Sequence, residues 1–329
     1  MDAIRVAVLA VCIPLGLVDS GDSTDKVARA AQGSIIDLTD IPPSLAEFNA
    51  QPGFGRVNAD AAQSVATGYG QSIAVLDTGF DNVNIDPTRV FDAYDFVDGD
   101  NDVSETFDGL DQDGDGVADD ARGHGTAVLS LLMALAPDAH FGLYRVMDAE
   151  GTASTKLLAL AVDTARRAGA KVINVSVNCD YDDPILHGAI SEAVARGVVV
   201  VAAGANEPGQ ELPYPARYPE CISVSSSTLS DVPYMGATQG EAVDVIAPGV
   251  GVVVAFAGSP TGFARATGTS FASPFVSAGA ALLLQQFPGI DAATVRERLM
   301  SRADVVGSLT TATASPTGRR LDLGASVMP

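Results

Sequence analysis

Three short segments carry the residue types that acyl-transfer chemistry needs. Ile73-Ala74-Val75-Leu76-Asp77-Thr78-Gly79 is an apolar run that delivers a carboxylate at its end. Arg122-Gly123-His124-Gly125-Thr126 sets one of the chain's three histidines between two glycines, ahead of an apolar helix-like stretch. Glycines on both sides leave the imidazole without side-chain cover, so that a substrate can approach it. Gly268-Thr269-Ser270-Phe271-Ala272-Ser273-Pro274 places a hydroxyl at a helix start, where free N–H groups and the dipole favour negative charge. Serine is a poor nucleophile at neutral pH because its hydroxyl keeps its proton. An imidazole, with a reference pKa of about 6.5, takes that proton near pH 7 and returns it to a leaving amine. The order Asp77, His124, Ser270 therefore supplies an orienting carboxylate, a base and a nucleophile. Asn206, which follows the apolar run Val198–Ala203 and Gly204-Ala205, adds a side-chain amide suited to an oxyanion. Taken singly, each has a plainer account: a turn-forming Asp before Gly, a core His, a helix-capping Ser.

These groups need a scaffold that brings distant stretches together. Strand-like runs at Ser72–Leu76, Phe141–Val146, Lys171–Val177, Val198–Ala202 and Cys221–Ser225 are short and β-branched. Between and after them lie helix-like segments at Thr126–Leu135, Ser154–Ala168, Pro184–Arg196, Ser273–Gln286 and Ala292–Arg302. Such alternation predicts β-α-β units around a mostly parallel, buried sheet in one α/β domain. Sites in such folds lie outside the carboxyl ends of the strands. Val243–Ile246 and Val252–Ala257, around Pro248-Gly249, read as hairpin or edge strands. No repeats or long linkers interrupt the pattern.

Composition narrows the function further. The chain has 329 residues, 47% of them hydrophobic, enough for a large core and incompatible with whole-chain disorder. Its net charge of −22 would be repelled by phosphate backbones and anionic headgroups, which argues against nucleic-acid and membrane-surface roles. Val6–Val18 is an apolar run too short to span a bilayer but matched to a secretory leader, so residues 1–20 read as a signal peptide. Residues 21–51 read as a polar, loop-like extension too small for an independently stable domain, and 52–329 as the catalytic domain. This predicts a secreted or periplasmic protein, with an intracellular one as the alternative. Without the leader, Cys179 and Cys221 remain, either as a pair or as two buried thiols. His140 and His187 read as core histidines.

With these segments in view, the chain resembles the subtilases, the subtilisin-like serine proteases. Asp-Thr-Gly also occurs in aspartic proteases, but its only partner here would be Asp19-Ser20-Gly21. The resemblance runs from about Pro52 to Ala325. It includes Gly55-Arg56-Val57-Asn58-Ala59, Ile173-Asn174-Val175-Ser176, Val243-Asp244-Val245-Ile246-Ala247-Pro248-Gly249 and Gly318-Arg319-Arg320-Leu321-Asp322. It implies a three-layer α/β fold, a mostly parallel twisted sheet with helices on both faces. It also implies a serine endopeptidase acting on polypeptides as a monomer, through Asp77, His124 and Ser270, with Asn206 and the Ser270 N–H facing the oxyanion.

In the family, substrate lies as an added strand between two protein segments. Here these match Gly151-Thr152-Ala153 and Ser176-Val177-Asn178, with Ala203-Gly204 lining the primary pocket. Asn178 stands where a glycine is usual; it tolerates positive φ, and its side chain would narrow the pocket. Asp148, Glu150, Asp180, Asp182, Asp183 and Glu207 lie near these segments and suggest either a preference for basic substrates or a solvated acidic rim. Ala127, Phe271 and Phe275 also depart from the family pattern without removing a catalytic group. The stretch 19–51 is too short for a foldase-like propeptide.

One acidic stretch remains. Asp111, Asp113, Asp115 and Asp119 alternate along 111–119, with Gly116 at the sixth position, like the first half of an EF-hand loop. Arg122 replaces the closing Glu, so a full EF-hand is excluded, but these carboxylates and the Val117 carbonyl would suit one structural calcium ion. The chemistry itself needs no cofactor. Two other readings compete with the endopeptidase: a catalytically silent peptide-binding module on the same fold, and a calcium-dependent structural protein.

Overall fold

The computed structural model describes residues 27–30, 35–37, 41–81, 85–107, 109–111, 117–307 and 318–329. Its strands are β1 (Val27–Ala30), β2 (Ile35–Asp37), β3 (Ser72–Asp77), β4 (Val90–Asp95), β5 (His140–Arg145), β6 (Thr152–Ser154), β7 (Val172–Val175) and β8 (Val177–Asn178). They continue with β9 (Val199–Ala203), β10 (Ile222–Ser227), β11 (Val245–Pro248), β12 (Val252–Ala255), β13 (Phe263–Thr267), β14 (Asp304–Val306) and β15 (Gly318–Arg320). The helices are α1 (Leu45–Asn49), α2 (Pro52–Arg56), α3 (Ala59–Gln63), α4 (His124–Leu135) and α5 (Thr155–Ala168). They are followed by α6 (Pro184–Ala195), α7 (Thr269–Gln286), α8 (Ala292–Ser301) and α9 (Leu323–Val327).

Nine strands form the central sheet in the order β14-β15-β11-β10-β9-β7-β3-β5-β4, parallel except for β14 against β15. Strand residues alternate between two cores, as the two-residue period of a strand requires. Ile73, Val75, Val199 and Val201 pack with α4 and α7 on one face, whereas Ala74, Leu76, Val200 and Ala202 pack with α5 and α6 on the other. The three-layer α/β arrangement follows. The order reverses beside β3, with β5 and β4 to one side and β7, β9, β10 and β11 to the other. Asp77 ends β3 at this switch point, where open α/β sheets place their sites.

α7 is buried along its whole length from Thr269 to Leu283, which is why its sequence is apolar or small all round. It starts four residues before the predicted Ser273. Pro274 lacks the N–H that would bond the Ser270 carbonyl, and the hydroxyls of Ser273 (3.1 Å) and Ser176 (3.4 Å) donate to that carbonyl instead. Pro274 is thus an interior helix residue with its lost bond replaced.

Two further expectations change. β11 is no hairpin arm; it lies inside the central sheet, parallel to β10 and β15, while β12 is the edge strand of a small sheet β12-β13-β2. The extension read as loop-like contributes β1 and β2, which pair with β6 and β8 and with β13 respectively. These short segments take strand geometry because the edges of other strands pair their backbone. The signal-peptide reading of residues 1–20 lies outside the described residues. Among the described residues no helix is long and apolar enough to cross a membrane.

Candidate active site

Asp77 and His124 meet across the first layer. His124 Nδ1 lies 2.6 Å from Asp77 Oδ1, which also accepts the Thr78 N–H at 2.9 Å. The imidazole is 3% exposed, and its ring packs 5.3 Å from that of Phe271, next to Ser270. Its Nε2 has no hydrogen-bond partner among the described residues. Pairing Nδ1 with a carboxylate fixes that nitrogen as the donor and leaves Nε2 as the proton acceptor. Burial alone would lower the His124 pKa, but the charge and hydrogen bond of Asp77 outweigh it, and Glu105 adds to the effect, so the pKa stands above its ordinary value.

The glycines around His124 serve a purpose other than the one expected. A β-carbon on Gly125 would stand 2.3 Å from the Gly79 carbonyl, and one on Gly123 2.4 Å from the Phe256 ring. They let the loop after β3 and the Phe256 ring close onto the start of α4. The imidazole is enclosed, not open.

Glu105, which the sequence did not single out, holds the two loops together. Its Oε2 accepts the Gly123 N–H at 2.6 Å and its Oε1 accepts the Thr78 hydroxyl at 2.9 Å. Thr78 Oγ1 in turn accepts the Gly125 N–H at 3.1 Å. Burial pushes the Glu105 pKa up to about 7, with Asp81 and Asp77 adding to the rise and the hydrogen bonds opposing it. A lone glutamate in a polar loop has no sequence signal; only the fold reveals it.

Ser270 sits in the first turn of α7 and is fully buried. Behind it runs a buried hydroxyl and amide network: Asn174 Nδ2 donates to Ser176 Oγ at 3.1 Å, the Ser176 and Ser273 hydroxyl oxygens lie 3.2 Å apart, and Ser277 Oγ donates to Asn174 Oδ1 at 2.8 Å. Asn174 and Ser273 lay within quoted motifs without an assigned role, and Ser277 lay beyond them. Asn206 is brought in from the end of β9 by Ala205, whose φ of 67° makes a left-handed turn. Its Oδ1 accepts the Thr269 N–H at 2.8 Å, which fixes the amide beside Ser270.

The groove residues converge as two segments. Gly151, at φ 69°, turns the chain into β6, which carries Thr152 and Ala153. Ser176 precedes β8, which holds Val177 and Asn178, and Ala203 closes β9. Gly204 donates to the Val224 carbonyl at 2.8 Å, and a β-carbon there would come 3.0 Å from that oxygen. Asn178 is strand, not a left-handed turn; with its amide oriented to satisfy its neighbours, its nitrogen donates to the Ala203 carbonyl at 2.8 Å.

Much of the expected acidic rim is structural. Asp148 accepts the Glu150 and Thr152 N–H groups, Asp183 caps α6, and buried Glu150 accepts the Asp119 N–H. Asp180 and Asp182 remain exposed. Cys179 and Cys221 are both buried and do not form a disulfide. His187 is no core residue: half-buried, it stacks on Tyr218 at 4.1 Å and faces Glu220 at 3.3 Å.

Of the calcium set, Asp113 and Asp115 lie outside the described residues, while Asp111, Val117 and Asp119 lie within them. Asp119 Oδ2 accepts the Gly109 N–H at 2.9 Å. Among the described residues no group of three or more His, Cys, Asp or Glu is placed to hold a metal ion.

Comparison with known proteins identifies the family. A family model described as the subtilase family matches residues 68–321. Subtilisin Savinase from Lederbergia lenta is 32% identical over 267 residues, covering 78% of this chain and 92% of the relative. Thermitase from Thermoactinomyces vulgaris is 32% identical over 260 residues, covering 78% and 89%. An alkaline protease from Alkalihalobacillus alcalophilus is also 32% identical, and the chain spans 65% of its length. Among solved structures, a cold-adapted subtilisin-like serine proteinase superposes with a TM-score of 0.65 at 29% identity, covering 78% of this chain and 90% of that one. A protease from Pseudoalteromonas arctica shares the fold with a TM-score of 0.76 at 24% identity, covering 87% and 98%. The chain belongs to the subtilase family of serine endopeptidases.

Proposed function

We propose that this protein hydrolyses peptide bonds through an acyl-enzyme intermediate, with Ser270 as nucleophile, His124 as base and Asp77 as its orienting partner. Ser270 Oγ attacks the substrate carbonyl while His124 Nε2 takes the hydroxyl proton. The imidazolium is stabilised by Asp77 at 2.6 Å. The tetrahedral oxyanion is met by the Asn206 amide and the Ser270 N–H. As it collapses, His124 gives the proton to the leaving amine, and water repeats the cycle to release the acid. The Asp77–His124 contact is the observation that carries this reading, with Nε2 as the ring's remaining acceptor beside the Ser270 segment. Hydrogen bonds to a nucleophile often tighten only with substrate bound.

Peptides would bind as an added strand along Gly151-Thr152-Ala153 and Ser176-Val177-Asn178, with Ala203 and Gly204 lining the primary pocket. The protein would act as a secreted or periplasmic monomer, with residues 1–20 as leader, 21–51 as extension and 52–329 as catalytic domain. Calcium enters only through the alternation of Asp111, Asp113, Asp115 and Asp119 with Val117. The described residues alone do not form its cage, and no step depends on it. Unchanged melting temperature in chelator would remove it.

A fluorophosphonate probe tests the central reading. The expected adduct lies on Ser270 and disappears in Ser270→Ala. An unlabelled Ser270 in folded protein would overturn the enzyme and favour a silent peptide-binding module.

A further inference from the structure

Between β4 and α4 the chain sends one acid into the interior beside the Asp77–His124 pair. Glu105 is 9% exposed, and each of its oxygens accepts from a different loop. The Gly123 N–H, one residue before His124, donates to Oε2 at 2.6 Å. The Thr78 hydroxyl, one residue after Asp77, donates to Oε1 at 2.9 Å. Thr78 Oγ1 itself accepts the Gly125 N–H at 3.1 Å, one residue after His124. The row from Gly125 through Thr78 to Glu105 therefore runs in one direction and ends on a carboxylate. Gly123 caps α4, so the same carboxylate also meets the end of a helix that favours negative charge.

Backbone packing holds the acid at that place. A β-carbon on Gly79 would stand 2.8 Å from Glu105 Cγ. The Glu105 N–H donates to Asp81 Oδ1 at 3.2 Å, and the Phe80 N–H donates to the Val103 carbonyl at 2.9 Å. The segment ending at Glu105 is thus strapped to the loop after β3. A second tie, from the Asp81 N–H to Thr126 Oγ1 at 2.8 Å, joins that loop to the first turn of α4 without adding charge.

The charges around the imidazole are few. Asp77, Glu105 and Asp120 each favour its charged form, and the Phe271 ring packs against it. Asp77 and Asp81 stand around Glu105, and Arg122 faces Asp81. An anion in a setting this dry acts over its neighbours more strongly than one in water.

We propose that Glu105 is a positioning residue that fixes the Asp77–His124 spacing from both ends and whose charge stabilises the imidazolium formed there. It takes no proton from Ser270; the proton stays on His124, and Glu105 answers its charge. The inference rests on the roles proposed for Asp77 and His124 and adds a third acid to them.

The test separates charge from spacing. Charge is read without any hydrolysis, by NMR titration of His124 in the full chain carrying Ser270→Ala, with and without Glu105→Gln. Glutamine keeps an acceptor for Gly123 and removes the anion. The expected result is a His124 pKa lower by at least about half a unit. An unchanged value in two folded proteins would overturn the proposal.

Spacing is read in the chain that retains Ser270, on a peptide substrate. Glu105→Ala removes the bridge, so kcat should fall at least about tenfold with KM within twofold. A glutamate that merely supports the fold would lower the melting temperature and leave both the titration and kcat in place, which overturns the inference. Should Glu105→Ala fail to fold, Thr78→Val decides. It removes the hydroxyl link and keeps the charge, so kcat falls while the His124 titration stays; an unchanged kcat overturns the spacing role. Fluorophosphonate labelling of Ser270 reports on the proposed chemistry apart from the titration, so either reading can fail alone.

Discussion

Gly125 and Gly79 approach so closely that a β-carbon on Gly125 would lie 2.3 Å from the Gly79 carbonyl oxygen and 3.0 Å from Asp77 Cβ. The first turn of α4 and the loop after β3 are packed backbone to backbone, and the Asp77–His124 pair depends on that packing. Gly125→Ala must separate them. Displacements near 1 Å cost about 10²-fold in rate. We expect kcat/KM to fall by about that factor, with folding retained by circular dichroism.

Asn206 Oδ1 accepts the Thr269 N–H at 2.8 Å, so removing the side chain also leaves that buried donor without its acceptor. Asn206→Ala should lower kcat by about 10²–10³-fold, or about 3–4 kcal/mol of barrier, with KM nearly constant. Steady-state kinetics on a peptide substrate checks both numbers.

The His124 pKa is raised by Asp77, and only the neutral imidazole accepts the serine proton. Activity therefore appears as pH rises through that raised value, and the acid limb of kcat/KM lies above the ordinary histidine value of about 6.5. The stability that the ion pair adds has the opposite course, full below the unfolded pKa and lost as pH rises through the folded one. Asp77→Asn removes the charge; the limb should move down and kcat fall by about 10⁴-fold. A pH–rate profile of both proteins tests the sign.

Arg145 stands opposite both Asp77 and Asp95 in the sheet register and bonds Asp95 and Asp98 at 2.6 Å each. Arg145 and Asp95 are both buried. Arg145→Met leaves a buried carboxylate without its cation, which typically costs about 3–5 kcal/mol. Urea unfolding should show that loss. Arg145→Met with Asp95→Leu should recover part of it.

Cys179 and Cys221 are buried and not joined by a disulfide, and burial pushes the Cys221 thiol well above its usual range. Neither should react with a thiol reagent in native protein, both should react in urea, and reductant should leave the melting temperature unchanged.

The regular elements were legible because hydrophobic period and length sufficed: β3, β5, β7, β9 and β10 and the helices α4 to α8 lie within a few residues of their expected places. Failures came where local pattern and tertiary setting disagree. The helix-like pattern reads from Ser273, but hydroxyls from Ser176 and Ser273 let Pro274 sit inside a longer helix. Val245–Pro248 is flanked by turn residues, but its strand neighbours, β10 and β15, come from distant sequence. The three catalytic candidates were readable from one of only three histidines and from the short glycine-containing segments that carry Asp77, His124 and Ser270. Glu105 was not, since its importance lies in two backbone and hydroxyl donors that no spacing reveals. β1 was invisible for a similar reason: its partners, β6 and β8, are far along the chain and its own residues are unpatterned.

Ser270, the proposed nucleophile, belongs to the keel of the molecule, since α7 is enclosed from Thr269 to Leu283 and packs with α4 against the central sheet. Such a serine cannot drift while the interior stays intact. Heat inactivation should accordingly keep step with cooperative melting of the whole body, and any gradual decline at milder temperatures would have to begin in surface loops.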